Sequence, residues 1–101
     1  MPISSSMSSD GREFVIKVEG RFDFSLHKSF REAYSSVDAQ KIHYQVDLSR
    51  TEYIDSSALG MLLLLRERAG GDSAGIRISG CRDDVQRILQ VSRFHQLFEI
   101  E

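Results

Sequence analysis

Four consecutive leucines, Leu62 to Leu65, constrain this chain more than any other feature. They lie in a helical run from Ser57 to Ala69. At about 100° per residue, four successive positions sweep roughly 300° of the helix surface. One narrow stripe cannot bury all of them, so the helix packs over a broad front and still carries apolar side chains on a second side. Ala58, Leu59, Leu62, Leu63, Leu65 and Ala69 fall on one wide arc, which is assigned to a sheet. Ser57, Met61, Leu64 and Arg68 recur at helical spacing on the other side, with Gly60 and Glu67 on its border. That second stripe is either a partner-docking surface or a face covered by the N-terminal segment or a neighbouring helix. Residue types leave both open.

The rest of the chain supplies the sheet. Phe14, Ile16 and Val18 alternate as a strand closed by Gly20, and Ile42, Tyr44, Val46 and Leu48 share one face of another. Ile76 to Ile78 reads as a short strand, and Ile100 ends the chain in a last one. Ile3, Ser5 and Met7 alternate weakly as a short edge strand, joined to the next by the turn Ser9-Asp10-Gly11-Arg12, so residues 1–11 form an edge strand and turn. Between strands lie helices. Ser25 caps one whose inner face is Leu26, Phe30, Ala33 and Val37, and the polar segment 38–41 follows it. Gly70-Gly71 stops the leucine helix. Asp83 or Asp84 caps a third, with Val85, Ile88 and Leu89 inward. The expected order is β-β-α-β-α-β-α-β. It implies an α/β fold with a mostly parallel sheet, right-handed crossovers and helices packed on it.

Size and composition narrow the function. At 101 residues the chain holds a single domain, 1–101, with one core. Thirteen basic against 15 acidic side chains, without a basic tract, argue against a nucleic-acid surface. The longest apolar run, Met61 to Leu65, is far short of a membrane span of about 18 residues, so no direct membrane insertion is expected. One cysteine, Cys81, and no secretory leader point to a cytoplasmic protein. There is no metal spacing and no phosphate-binding glycine motif, so neither metal nor cofactor is expected. No G-x-S-x-G elbow surrounds the serines, and His27, His43 and His95 have no catalytic spacing. The expectation is that the chain is not an enzyme.

The residues with most chemical promise are Asp55-Ser56-Ser57, between the strand and the leucine helix. By residue type alone they form an N-cap. They also present two hydroxyls at the positive end of a helix, where a negative charge can be placed or sensed. Gly60, one turn on, leaves room for something to approach.

Several segments together carry a resemblance. Gly20-Arg21-Phe22-Asp23 resembles a Gly-x-Leu-Asp segment, Val46-Asp47-Leu48-Ser49 a strand ending in Asp-Leu-Ser, and Ile54-Asp55-Ser56-Ser57-Ala58-Leu59-Gly60 an Asp-Ser-Ser-Gly-Leu-Gly signature. Val85 to Leu89 followed by Leu97 to Ile100 resembles the matching last helix and strand. From about residue 12 onward the chain resembles a STAS domain of the bacterial anti-sigma factor antagonist (anti-anti-sigma factor) family, with Ala58 in place of the common glycine. The resemblance implies a phosphoprotein of transcription regulation that works by partner switching. Its unphosphorylated form binds an anti-sigma factor/serine kinase and releases a sigma factor. Phosphorylation at Ser57, rather than Ser56, blocks binding, and a PP2C-type phosphatase reverses it. Asp23, Asp55, Ser56, Ser57, Gly60, Met61, Leu64 and Arg68 are the expected partner-binding residues. Other STAS roles are an accessory subunit of a transporter, a stress-signalling scaffold and a nucleotide-binding signalling module.

Overall fold

A computed structural model describes residues 2–37, 42–73 and 75–101. The expected polar segment 38–41 lies outside the described residues. The strands are β1 (Ile3–Met7), β2 (Glu13–Phe22), β3 (His43–Ile54), β4 (Ile76–Ser79) and β5 (Glu99–Ile100). The helices are α1 (His27–Ser35), α2 (Ser56–Arg68) and α3 (Asp83–Val91). The expected order holds element by element.

The sheet runs β1-β2-β3-β4-β5, with β1 antiparallel to β2 and every later pair parallel. Each parallel step moves one strand along in the same direction. Right-handed crossovers therefore place all three helices on one face. Burial agrees. Phe14, Ile16, Val18, Tyr44, Val46, Leu48, Ile76 and Ile78 are buried, whereas Val15, Gln45, Asp47, Arg77 and Ser79 on the opposite face are half-exposed. That open face is polar and cross-linked. Arg77 donates to Gln45 (3.0 Å) and Glu13 (3.4 Å) and pairs with Glu101 (3.2 Å), while Gln45 donates to Ser79 (2.8 Å).

Two strands run further than the alternation suggested. Strand β2 passes through Gly20, which adopts φ +79°, and ends at Phe22. Strand β3 continues six residues past Leu48, because it carries one extra residue between Asp47 and Arg50 and another between Thr51 and Tyr53. The buried positions change from Tyr44, Val46, Leu48 to Thr51 and Ile54, a spacing that two-residue alternation misses. Thr51, fully buried, donates its hydroxyl to the Val18 carbonyl at 2.7 Å, which satisfies an acceptor at the irregularity. Gly80 lies against the first bulge. A Cβ there would come within 2.8 Å of the Ser49 Cβ, and φ is +75°.

The helix starts also differ in detail. Asp23, not Ser25, caps the turn Phe24–Leu26 that leads into α1, accepting from the Ser25 N–H (3.0 Å) and hydroxyl (2.6 Å). The ionised carboxylate makes both bonds charge-assisted, which a neutral hydroxyl cannot do. The inner face of α1 is Leu26, Phe30 and Tyr34, and Val37 falls beyond its end. Asp83 and Asp84 occupy the first turn of α3, behind an extended Arg82.

Candidate functional site

Strands β2 and β3 run parallel and end side by side, with Phe22 opposite Ile54. Each is followed by an aspartate that caps a helical turn, Asp23 on one side and Asp55 on the other. The site grows from this pair. Asp55 is in extended conformation (φ −124°, ψ −175°), and its Oδ1 accepts the Ala58 N–H at 3.0 Å and the Ser57 hydroxyl at 2.7 Å. These bonds, Ser57's first, hold the Asp55 carboxyl below the usual carboxylate range, although the Asp23 charge works the other way. Asp23 is likewise lowered, first by the Ser25 hydroxyl and N–H and then by Arg21. The Arg21 Nε lies 3.5 Å from Asp23 Oδ2, and its guanidinium sits 4.3 Å over the Tyr53 ring.

The two serines differ. Ser56, in the first turn of α2, is exposed. Ser57, the next residue, is half-buried and its hydroxyl is engaged by Asp55. Phosphorylation of Ser57 would replace the proton that Asp55 now accepts, turning an attraction into a charge repulsion at the same oxygen. Gly60 faces open space, since an added Cβ there would meet nothing within 4 Å.

Below the cap the expected stripe breaks up. Met61 is 3% exposed and belongs to the core, not to a docking face. Its place follows from the wheel. Ala58, Met61, Leu62, Leu65 and Ala69 share an arc of about 100°, and all five are buried. Leu63, expected against the sheet, is 38% exposed, and Leu64 is 53% exposed. The solvent side of α2 thus centres on Gly60 and Glu67, with Leu63 on one flank and Ser57 and Leu64 on the other. Arg68 is exposed, but its guanidinium is committed. It donates to the carbonyls of Ser35 (2.7 Å) and Val37 (3.2 Å), closing the end of α1, and lies 5.7 Å from the Tyr34 ring centroid. Leu64 and Arg68 line an apolar groove with Arg31, Glu32, Tyr34 and Ser35 between α1 and α2.

Of the expected site residues, the structure gathers Asp23, Asp55, Ser56 and Ser57 at the strand ends, with Gly60 one turn along α2, while Leu64 lies further down the helix in the groove against α1. It withdraws Met61 into the core and assigns Arg68 to a capping role. Asp47 lies apart from this charge cluster, in mid-strand, where its carboxylate accepts the Ser49 N–H (2.9 Å) and lines a groove with Lys17, Glu19 and Arg50. Two aromatics went unanticipated. Phe24, 68% exposed and stacked on His27 at 5.4 Å, and Tyr53, 40% exposed, flank the aspartates. Their residue types give no sign of exposure, because an aromatic side chain suits a core as readily as the rim of a turn. Among the described residues no group of His, Cys, Asp and Glu could hold a metal ion, and no helix is long and apolar enough to cross a membrane.

The chain matches, over residues 5–99, the family described as "Mlab, STAS domain". A STAS-domain containing protein of Pseudomonas aeruginosa (strain UCBPP-PA14) is 50% identical over 100 residues, 99% of this chain and 99% of that protein. Among solved structures, the anti-sigma factor antagonist SpoIIAA in its unphosphorylated form aligns at a TM-score of 0.73 and 15% identity, covering 98% of this chain and 86% of that one. The phosphorylated form of SpoIIAA, from Bacillus, aligns at 0.73 and 16% identity, covering 98% and 90%. A sulfate transporter family protein from Wolinella succinogenes aligns at 0.71 and 14% identity, covering 88% and 77%. At these identities the solved structures share the fold.

Proposed function

The chain belongs to the STAS domain family, and we propose that it acts there as an anti-sigma factor antagonist, a non-enzymatic switch in the cytoplasm. Its unphosphorylated form binds an anti-sigma factor that is also a serine kinase, and a sigma factor is thereby released. Phosphorylation of Ser57 ends that binding, and a PP2C-type phosphatase restores it. The observation that carries this reading is the Ser57 hydroxyl. It stands at the N-terminus of α2, 2.7 Å from Asp55, where β2 and β3 end side by side. SpoIIAA, of the same fold, exists in unphosphorylated and phosphorylated forms, which supports the reading.

The mechanism is electrostatic and local. Transfer of the γ-phosphoryl group from the kinase's ATP to the Ser57 oxygen leaves ADP, releases the hydroxyl proton to solvent and adds about −1.5 to −2 charges. Asp55 loses a donor, and three acidic groups then crowd the strand ends. A partner that covers Phe24, Tyr53 and Leu64 has to desolvate this charge, which opposes docking. The test uses an anti-sigma factor/serine kinase purified from the same cell. Ser57→Ala and Leu64→Glu should both keep the fold. Ser57→Ala should bind about as tightly as wild type, while Leu64→Glu and protein carrying phosphoserine at 57 lose at least about tenfold in affinity. With ATP, intact mass should show one phosphate on wild type and Ser56→Ala and none on Ser57→Ala. Equal affinity of the phosphorylated and unmodified forms would refute the switch. A phosphate kept by Ser57→Ala and lost by Ser56→Ala would move it by one residue.

The likeness to the Wolinella sulfate transporter family protein favours a second reading, an accessory STAS subunit of a transporter. In that case the protein would co-purify with a membrane transporter whatever residue 57 is.

A further inference from the structure

Strand β1 forms one edge of the sheet, and the register shows which of its groups face outward. The Glu19 N–H donates to the Pro2 carbonyl, and the Ser8 N–H to the Glu13 carbonyl, both at 2.8 Å. Between them Ser4 pairs with Lys17 and Ser6 with Val15. In an antiparallel ladder bonded positions alternate, so residues 2, 4, 6 and 8 aim their backbone groups at β2. Ile3, Ser5 and Met7 turn theirs away, and among the described residues nothing meets them.

Natural edges are blunted by charge, an internal proline, a bulge or a covering segment. The run Ile-Ser-Ser-Ser-Met has no charge, its register to β2 is unbroken, and Ser4 to Met7 are exposed. The opposite edge, β5, is only two residues long and starts with a glutamate.

We propose that β1 pairs with β1 of a second copy of this chain, antiparallel, about a dyad at Ser5. The strand is self-complementary in that register. Ser5 faces Ser5, and Ile3 faces Met7 on both sides of the dyad. These are the three residues with outward backbone groups, so each pair exchanges both of its N–H···O bonds. Their side chains point to the same side as Val18, Ile16 and Phe14, the helix-covered face. Met7, 42% exposed in the single copy, packs against the half-buried Ile3 of the other. The two sheets become continuous, with both helix layers on one side. A five-residue strand buries far less than the roughly 1,200 Å² of a stable interface. The dimer is therefore weak and forms as concentration rises. Because the pairing uses neither α2 nor Asp23 and Asp55, it stands or falls apart from the Ser57 switch.

Sedimentation of the pure protein from micromolar to millimolar concentration should show a monomer–dimer equilibrium. Amide exchange should slow with concentration at Ile3, Ser5 and Met7, while Ser4 and Ser6 stay protected throughout. Ser5→Pro removes a donor that β2 does not use, so the folded variant should remain monomeric. Ser5→Lys, which sets like charges face to face at the dyad, should do the same. A wild type that is monomeric at millimolar concentration overturns the proposal, as does a dimer that both variants leave intact.

Discussion

One oxygen of Asp55 links helix initiation to the candidate switch. Oδ1 accepts the Ala58 N–H that starts α2 and also the Ser57 hydroxyl. Both bonds favour the ionised carboxylate, so its folded pKa lies below the unfolded value of about 3.9. A depressed carboxyl contributes stability above its unfolded pKa and loses it as pH falls through the folded one. Asp55→Ala should therefore cost about 1 kcal/mol at pH 7, the usual worth of such a cap. The difference from wild type should shrink below pH 4 as the native carboxylate protonates. Urea unfolding at pH 7 and pH 3 measures both, and an undiminished difference at pH 3 would show that ionisation contributes nothing. At this scale the site was largely legible, since Asp-Ser-Ser before an apolar run specifies a cap and its hydroxyls. Phe24 and Tyr53 were not, because an aromatic residue carries no mark of exposure until the turn beside it is known.

Among the elements, β3 and α2 show where pattern reading stops. Alternation holds from Tyr44 to Leu48 and then yields to the two extra residues, which move burial to Thr51 and Ile54. A polar run, Ser49-Arg50-Thr51-Glu52, looks like a loop for the same reason. The structure keeps it in the strand partly through Thr51, whose hydroxyl serves the Val18 carbonyl at 2.7 Å. Thr51→Val conserves the shape and deletes the donor. It should cost about 1–3 kcal/mol, the penalty for leaving a buried acceptor unpaired, and Thr51→Ser should recover part of it. Denaturant midpoints at constant slope are the measurement, and a neutral Thr51→Val would mean that the carbonyl finds another donor. In α2 the error was angular. The buried arc is centred between Met61 and Leu62, so Met61 passes to the core and Leu63 to solvent. An all-apolar helix hides that centre, because Met and Leu suit either environment.

For the whole molecule, element order proved more informative than any single residue. Strands alternating with helices implied a parallel sheet, and the sequential strand order adds that one face carries the helices while the other stays polar. The candidate switch lies at the far ends of β2 and β3, outside the core. Two local effects of a phosphate at Ser57 then oppose each other. The N-terminus of α2 favours an anion by roughly 0.3–1 kcal/mol. Loss of the hydroxyl proton from Asp55, together with repulsion from Asp55 and Asp23, acts against it at half-exposed positions where salt screens part of the effect. The core residues beneath, Ala58, Met61 and Leu62, keep their contacts in either state. Protein with phosphoserine encoded at 57 should therefore unfold within about 5 °C of the unmodified form, since 1 kcal/mol shifts a domain of this size by about 4–8 °C. Its amide shifts should change only around the ends of β2 and β3 and the first turns of α2. Calorimetry and a two-dimensional amide spectrum test this together. Changes spread through β4 and α3 would mean that the charge acts by remodelling the domain, whereas local changes with lost partner affinity would leave the surface at the head of α2 as the whole of the switch.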